Sequence, residues 1–347
     1  MKSWIRLAPV FLAACAADTT TSDGPTLGFE RVLTLGSEQP PGDIPSRPTA
    51  LTSTADGSFI LFIAGNTSDP MPMRFAADGT FVEQIGGSGQ GPGEFRRPQM
   101  GTVTPGDSVL VHDRPTFTVL KDGSARTIRW APHEVGDIDI LSWPDSVLFS
   151  VWAPMGPRPY MIVSMRDDEV ETLAEFGMER SVQSWNHSRA YSSIPREDRV
   201  WVANAYEYVV HQLSFEGDTT RSLDLSSPEF NTETTGVSPD SIPRSYVLGL
   251  ESIGDTLITA FSAAKDGWEK AWDNDDYGPV PGSPGAIRAP PEQMLYETVI
   301  ELRSIEAGEL IGSQRLPGIF VDILPNGSIA QFVVEGPGFY FVEIWSR

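Results

Sequence analysis

The chain has 347 residues, 40% of them hydrophobic, and its 25 Lys plus Arg face 47 Asp plus Glu for a formal net charge of −22. So acidic a chain excludes most nucleic-acid binding, which needs cations facing phosphates. One Cys permits no intrachain disulfide and no cysteine zinc site, and four scattered His build no His-rich metal cage.

At the start, Lys2 and Arg6 precede an apolar stretch, Leu7 to Ala14. It is too short to span a bilayer, which takes ~20 apolar residues, and it suits the h-region of a signal peptide. The stretch ends in Leu12-Ala13-Ala14-Cys15, which resembles the lipobox of bacterial lipoproteins. That resemblance implies a signal peptide over 1–14 and a lipid on Cys15; the other reading is a secretory signal that happens to end in Cys. Residues 15–26 are small and polar and read as a flexible tether. Removing Lys2 and Arg6 takes the charge from −22 to −24. A body that acidic is repelled by anionic lipid, so membrane attachment is expected through the acyl chains alone.

From residue 27 the chain repeats. A tight turn followed by a β-rich run occurs six times, as in Ala55-Asp56-Gly57 before Ser58-Phe59-Ile60-Leu61 and Pro325-Asn326-Gly327 before Ser328-Ile329-Ala330-Gln331. A second set of turns, such as Ala77-Asp78-Gly79 and Lys121-Asp122-Gly123, joins the later strands of each repeat. Asp-Gly and Asn-Gly supply the positive φ that tight hairpins need. The unit is four antiparallel strands, the first beginning near 48, 98, 137, 190, 246 and 318. The longest interval holds an insertion at about 263–294; without it the spacing is the ~40–50 residues of propeller blades. The last unit has three strands, ending with Phe339–Trp345, and Phe29–Leu35 is free to supply its fourth. The expectation is an all-β, six-bladed β-propeller over 27–347, its last blade closed by the N-terminal strand so that no sheet edge is left open.

Gly86-Gly87-Ser88-Gly89-Gln90-Gly91-Pro92-Gly93-Glu94-Phe95, followed by Arg97-Pro98, resembles the blade-joining segment of NHL-repeat propellers. With the lipobox, the chain is similar to six-bladed β-propeller lipoproteins of bacteria, a resemblance that implies binding or scaffolding. The run is no Walker loop, which would need Gly-Lys-Ser/Thr opening a helix.

Other motifs are weaker. Asp273-Asn274-Asp275-Asp276-Tyr277-Gly278 partly resembles a calcium loop, but its twelfth position is Pro284, where a bidentate Glu is needed. It reads as a solvated acidic loop, with calcium as the alternative and no other cofactor expected. His112, His133, His187 and His211 show no ligand spacing, and no Gly-x-Ser-x-Gly elbow is present. Trp268, Trp272 and Tyr277 in the insertion either anchor it to the propeller or form a stacking platform for a sugar or peptide.

In a four-stranded blade the loops joining strands b and c, and the links from d to the next a, share one face, here called the top. Nearly every long segment falls there, and long loops on a rigid scaffold concentrate function. Arg47, Arg97, Arg189, Arg244 and Arg315 stand just before five of the six first strands. Arg suits bidentate recognition of carboxylate or phosphate, so these form either an anion site at the channel mouth or struts to acidic loops. The leading expectation is an extracytoplasmic, lipid-anchored module that binds a protein or a small anionic or carbohydrate ligand through its top face. One alternative is a lactonase-like hydrolase or lyase with a central divalent metal, for which only Asp137, Asp139 and Asp322 offer carboxylates. The other is a scaffold within a cell-envelope complex.

Overall fold

The computed structural model describes residues 25–347 except 64–70, 105–106, 114–115, 130–137, 144–145, 153–159, 167–168, 177–189, 194–198, 215–217, 233–239, 275, 280–286 and 336–338. The signal segment, Cys15 and Arg189 lie outside the described residues. The tight turns show how the repeat is encoded. In Asp56-Gly57-Ser58, Asp78-Gly79-Thr80 and Asn326-Gly327-Ser328, the first side chain accepts the backbone N–H two residues on, at 3.0, 2.9 and 3.0 Å. The central Gly takes φ of 82°, 85° and 84°, a region that a Cβ would strain.

Strand β1 (Glu30–Leu35) comes first. β2 (Pro48–Ser53), β3 (Phe59–Ile63), β4 (Met73–Phe75) and β5 (Phe81–Gln84) form a first sheet in that order. After the short β6 (Gly87–Ser88) and β7 (Glu94–Phe95), a second sheet holds β8 (Pro98–Val103), β9 (Val109–Asp113), β10 (Thr116–Lys121) and β11 (Ser124–Arg129). The third takes β12 (Ile138–Trp143), β13 (Ser146–Trp152), β14 (Tyr160–Arg166) and β15 (Glu169–Phe176). The fourth takes β16 (Ala190–Ser192), β17 (Arg199–Asn204), β18 (Val209–Ser214) and β19 (Thr219–Asp224). In the fifth, β20 (Tyr246–Ile253) and β21 (Thr256–Ala264) are followed, across the insertion, by β24 (Tyr296–Ser304) and β25 (Leu310–Leu316). The insertion carries the short pair β22 (Gly278–Pro279) and β23 (Ile287–Arg288). A sixth sheet orders β26 (Ile319–Ile323), β27 (Ile329–Val334), β28 (Tyr340–Ser346) and then β1. All neighbours within these six four-stranded sheets are antiparallel, β1 against β28 included. The first strand of each sheet packs beside its neighbours in the adjoining sheets, and the chain is an all-β propeller of small four-stranded blades.

Blades packed on both faces explain the continuous apolar runs. In β3, Leu61 and Ile63 face the sixth sheet's Val321 and Phe332, while Ile60 and Phe62 face the second sheet's Val109 and Val111. β21 does the same: Leu257 and Phe261 join the fourth sheet's Trp201 and Val210, whereas Ile258 and Ala260 join the sixth sheet's Ile323 and Ile329. A strand with one wet face would alternate instead.

The Gly-rich segment between the first two blades is held by its own side chains. Phe95 is fully buried between them, and Glu94 Oε2 accepts the N–H groups of Gln90 and Gly91 at 2.9 and 2.7 Å. Asp113 then accepts the N–H groups of Arg96 and Arg97 at 2.9 and 2.6 Å, fixing the entry to β8. The sequence reading of residues 15–26 as tether is shortened at its end: Thr26 bridges Ser313 on β25, and Ser313 N donates to Pro25 O. Gln314 grips Phe29 through both its backbone N–H and its carbonyl.

Two devices lock blades together. A Cβ on Gly101 of β8 would meet Phe62 Cε1 and Leu110 O, both at 2.2 Å; one on Gly249 of β20 would meet Phe320 Cζ at 2.4 Å. An aromatic ring of the neighbouring blade thus lies directly on the inner strand. Between the fourth and fifth blades, buried Glu301 accepts from Tyr208, Ser227 and Arg303, and Arg303 also donates to the carbonyls of Gly308 and Ser226. Burial pushes the Tyr208 hydroxyl well above its usual pKa, so it stays a donor to that carboxylate.

Gly101→Ala is expected to lower stability by about 1–3 kcal/mol, because backbone and ring must both move to admit one methyl; urea denaturation measures it. Glu301→Ala leaves the Arg303 charge buried and unpaired, and its expected loss is larger, about 3–5 kcal/mol. Equal stability of Glu301→Ala and wild type would show that Arg303 finds another partner.

Candidate functional site

The connections divide by face. Turns joining first to second and third to fourth strands are short, such as Thr54–Ser58 and Ala76–Thr80. The long connections are of the other kind: one leads from β19 to β20, another, the insertion, from β21 to β24.

Within the insertion, Trp268 and Ala271 are buried on Leu295, with Ala264, Trp272 and Tyr296 packed around them. Trp268 is therefore an anchor, and its ring is not open to a ligand as part of a platform with Trp272 and Tyr277. In the acidic loop, Asn274 Oδ1 accepts the N–H of Asp276 and Asn274 O that of Tyr277. Asp275 and Pro284 lie outside the described residues. Among the described residues, no three His, Cys, Asp or Glu side chains lie together as metal ligands would. Asp137 is not described, and the Asp322 carboxylate accepts the N–H groups of Leu51 and Ile323. Of the histidines, buried His112 stacks on Phe117 and His211 Nδ1 bonds Ser222 Oγ.

The arginines separate into different roles. Arg47, one residue before β2, pairs with Glu292 of the insertion, and Tyr246 donates its hydroxyl to the same carboxylate. The insertion of the fifth blade thereby reaches the entry of the first. Arg315 stands four residues before β26, the first strand of its unit, and lies inside β25, an outermost strand. There it pairs with Glu229 at 2.9 Å and Glu297 at 3.4 Å and donates to Ala264 O at 3.1 Å, tying down the start of the insertion. Arg97 is exposed, and its backbone N–H is held by Asp113. Arg244 lies over Tyr206, 4.6 Å from the ring centroid, a cation–π contact worth about 0.5–2 kcal/mol. Arg47 and Arg244 thus come to one cluster; Arg97 and Arg315 serve elsewhere.

That cluster is a row of tyrosines that the sequence reading missed. Tyr206 and Tyr246 lie 6.3 Å apart and Tyr246 and Tyr296 5.6 Å, ring to ring, all three half-buried. Tyr206 comes from the turn between β17 and β18, Tyr246 opens β20 and Tyr296 opens β24. A faint signal existed: Arg244-Ser245-Tyr246 repeats the Arg-x-Tyr of Arg189-Ala190-Tyr191 at the same point of the preceding blade. Burial and the Glu292 carboxylate raise Tyr246 far above the usual tyrosine range and push Tyr296 up to about 12.

Fold and site define a β-propeller whose irregular, aromatic-lined face stands at one end of the blades. No protein-family model matches the chain, and no curated protein matches it in sequence. Solved structures do. A member of the DUF4221 family from Bacteroides vulgatus superposes with a TM-score of 0.62 at 12% identity, over 92% of this chain and 97% of that one. A protein of Bacteroides fragilis described as exported gives 0.54 at 11%, over 94% and 97%. The calcium-binding protein regucalcin of Agrobacterium tumefaciens gives 0.50 at 10%, over 91% and 96%. At such identities the likeness is one of fold.

The tyrosine row has a pH signature. An unfolded tyrosine loses its proton near 10, whereas Tyr296 holds it to about 12 and Tyr246 beyond that. Between pH 10 and 12 the folded state binds more protons, so stability falls as pH rises through that window. The melting temperature is expected to drop more steeply above pH 10 in wild type than in Tyr246→Phe/Tyr296→Phe; identical slopes would contradict the assignment.

Proposed function

We propose that the protein is a lipid-anchored, extracytoplasmic six-bladed propeller that acts as a binding module through its top face. The observation that carries the reading is the asymmetry of the connections: tight, self-satisfied turns at one end, long aromatic and acidic segments at the other. Six four-stranded sheets and the β1–β28 pair support the blade number and the closure by the N-terminal strand. The signal-like segment ending in Cys15 supports attachment, and the exported protein of B. fragilis shares the fold. Among the described residues no helix is long and apolar enough to cross a membrane, in keeping with an acyl anchor. A protein or a small anionic or carbohydrate ligand fits the face; nucleic acid does not.

Two measurements test this. Metabolic labelling with a fatty acid is expected to mark the wild type and leave Cys15→Ser unlabelled; label retained by the variant would refute the acyl anchor. A thermal-shift panel of carboxylates, phosphates, neutral saccharides and acidic saccharides is expected to contain at least one stabilising class. A wild type stabilised by none of them would refute small-ligand binding.

A further inference from the structure

The row that runs from Arg244 along the three tyrosines to Trp272 ends in two buried donors without acceptors. Arg244 Nε and Trp272 Nε1 are both inaccessible to solvent and lack a hydrogen-bond partner among the described residues. A buried N–H left without an acceptor costs about 1–3 kcal/mol, and native structures rarely tolerate it. The nearby carboxylate does not serve either: Glu292 is engaged by Arg47 and Tyr246. Arg244 has its guanidinium on the Tyr206 ring and no carboxylate among the described residues, in a chain of net charge −22. Arg47, Arg303 and Arg315, by contrast, each have one.

We propose that this row is a binding site for an acidic saccharide, an inference that rests on reading the top face as the binding face. Each part of such a ligand meets a part of the row. Its carboxylate answers the planar fork of Arg244, which suits bidentate recognition. The C–H faces of its sugar rings lie on tyrosine rings. Its hydroxyls and ring oxygens supply an acceptor at the Trp272 end. Tyr206, Tyr246 and Tyr296 follow one another ring to ring, and Trp272 packs on the same small core as Tyr296. A polyphosphate fits worse, because it has no C–H face to lie on the tyrosine rings.

The experiment is calorimetric titration of the full chain with tetragalacturonate, with maltotetraose as neutral comparator and acetate as bare carboxylate. Expected is binding of tetragalacturonate to wild type and no measurable heat with the other two. Arg244→Gln is expected to weaken it at least about tenfold while the melting temperature of the free protein changes little. Trp272→Phe, which keeps a ring and removes the N–H, is expected to weaken it several-fold, and it remains informative if Arg244→Gln misfolds. Arg97→Gln, on the exposed link to the second blade, should bind as wild type does. Equal affinity in Arg244→Gln and Trp272→Phe would overturn the site. Binding of maltotetraose in place of tetragalacturonate would overturn the acidic class and leave the binding-face reading intact. Absence of binding by all three overturns the proposal, and the four-class thermal-shift panel then tells whether small-ligand binding falls with it.

Discussion

A β-sheet must satisfy the N–H and C=O groups of its outermost strand or cover them, and the hydrogen-bonded pair of β1 with β28 is where this chain meets that demand at its two ends. Glu30–Leu35 and Tyr340–Ser346 are brought together from opposite ends of the sequence, with Arg31 and Glu343 joined across the pair. Leu35 then packs with Ile344 and Val342 against Leu61 and Phe75 of the first blade. The sheet of β26, β27, β28 and β1 therefore joins the first and last strands. The chain N-terminal to β1 leaves over the outer strand β25, where Thr26 and Phe29 are gripped by Ser313 and Gln314.

Packing blades on both faces leaves little freedom in strands such as β3 and β21. Phe62 against Gly101 and Phe320 against Gly249 show tolerances of less than a methyl group. Variation is confined to connections, and the 31 residues from Lys265 to Leu295 are the largest addition. The insertion is nonetheless tied at three points: Trp268 in its own small core, Arg315 at its start and Arg47 near its end. The exposed Arg47–Glu292 pair contributes little by itself; its effect is geometric, because it orients the carboxylate that Tyr246 also uses.

Arginine does two things in this acidic chain. The half-exposed Arg47 and Arg315 meet carboxylates from other parts of the fold, as struts should, and buried Arg303 pairs with Glu301 on its own strand. Arg244 instead rests on an aromatic ring. Arginines at like points of the repeat thus took different partners according to which loop came within reach.

The sequence by itself determined the strands, because their signals are local. Asp-Gly and Asn-Gly turns demand positive φ, and apolar runs such as Phe59–Ile63 demand burial on both faces; first strands begin at 48, 98, 138, 190, 246 and 319, close to where the spacing puts them. The Gly-rich junction was legible for the same reason: Glu94 closes a loop only four residues long. Only the tertiary structure decided the site. Tyr206, Tyr246 and Tyr296 are separated by 40 and 50 residues of chain, and each is an ordinary strand-end residue until the fourth and fifth blades pack side by side. Trp268 and Trp272 differ by four residues and looked alike, yet one fills a core and the other borders the row. Which arginine finds a carboxylate is likewise a contact across 86 or 245 residues, set by how loops of different blades converge. Local turn chemistry cannot encode that convergence; the packing of whole blades does.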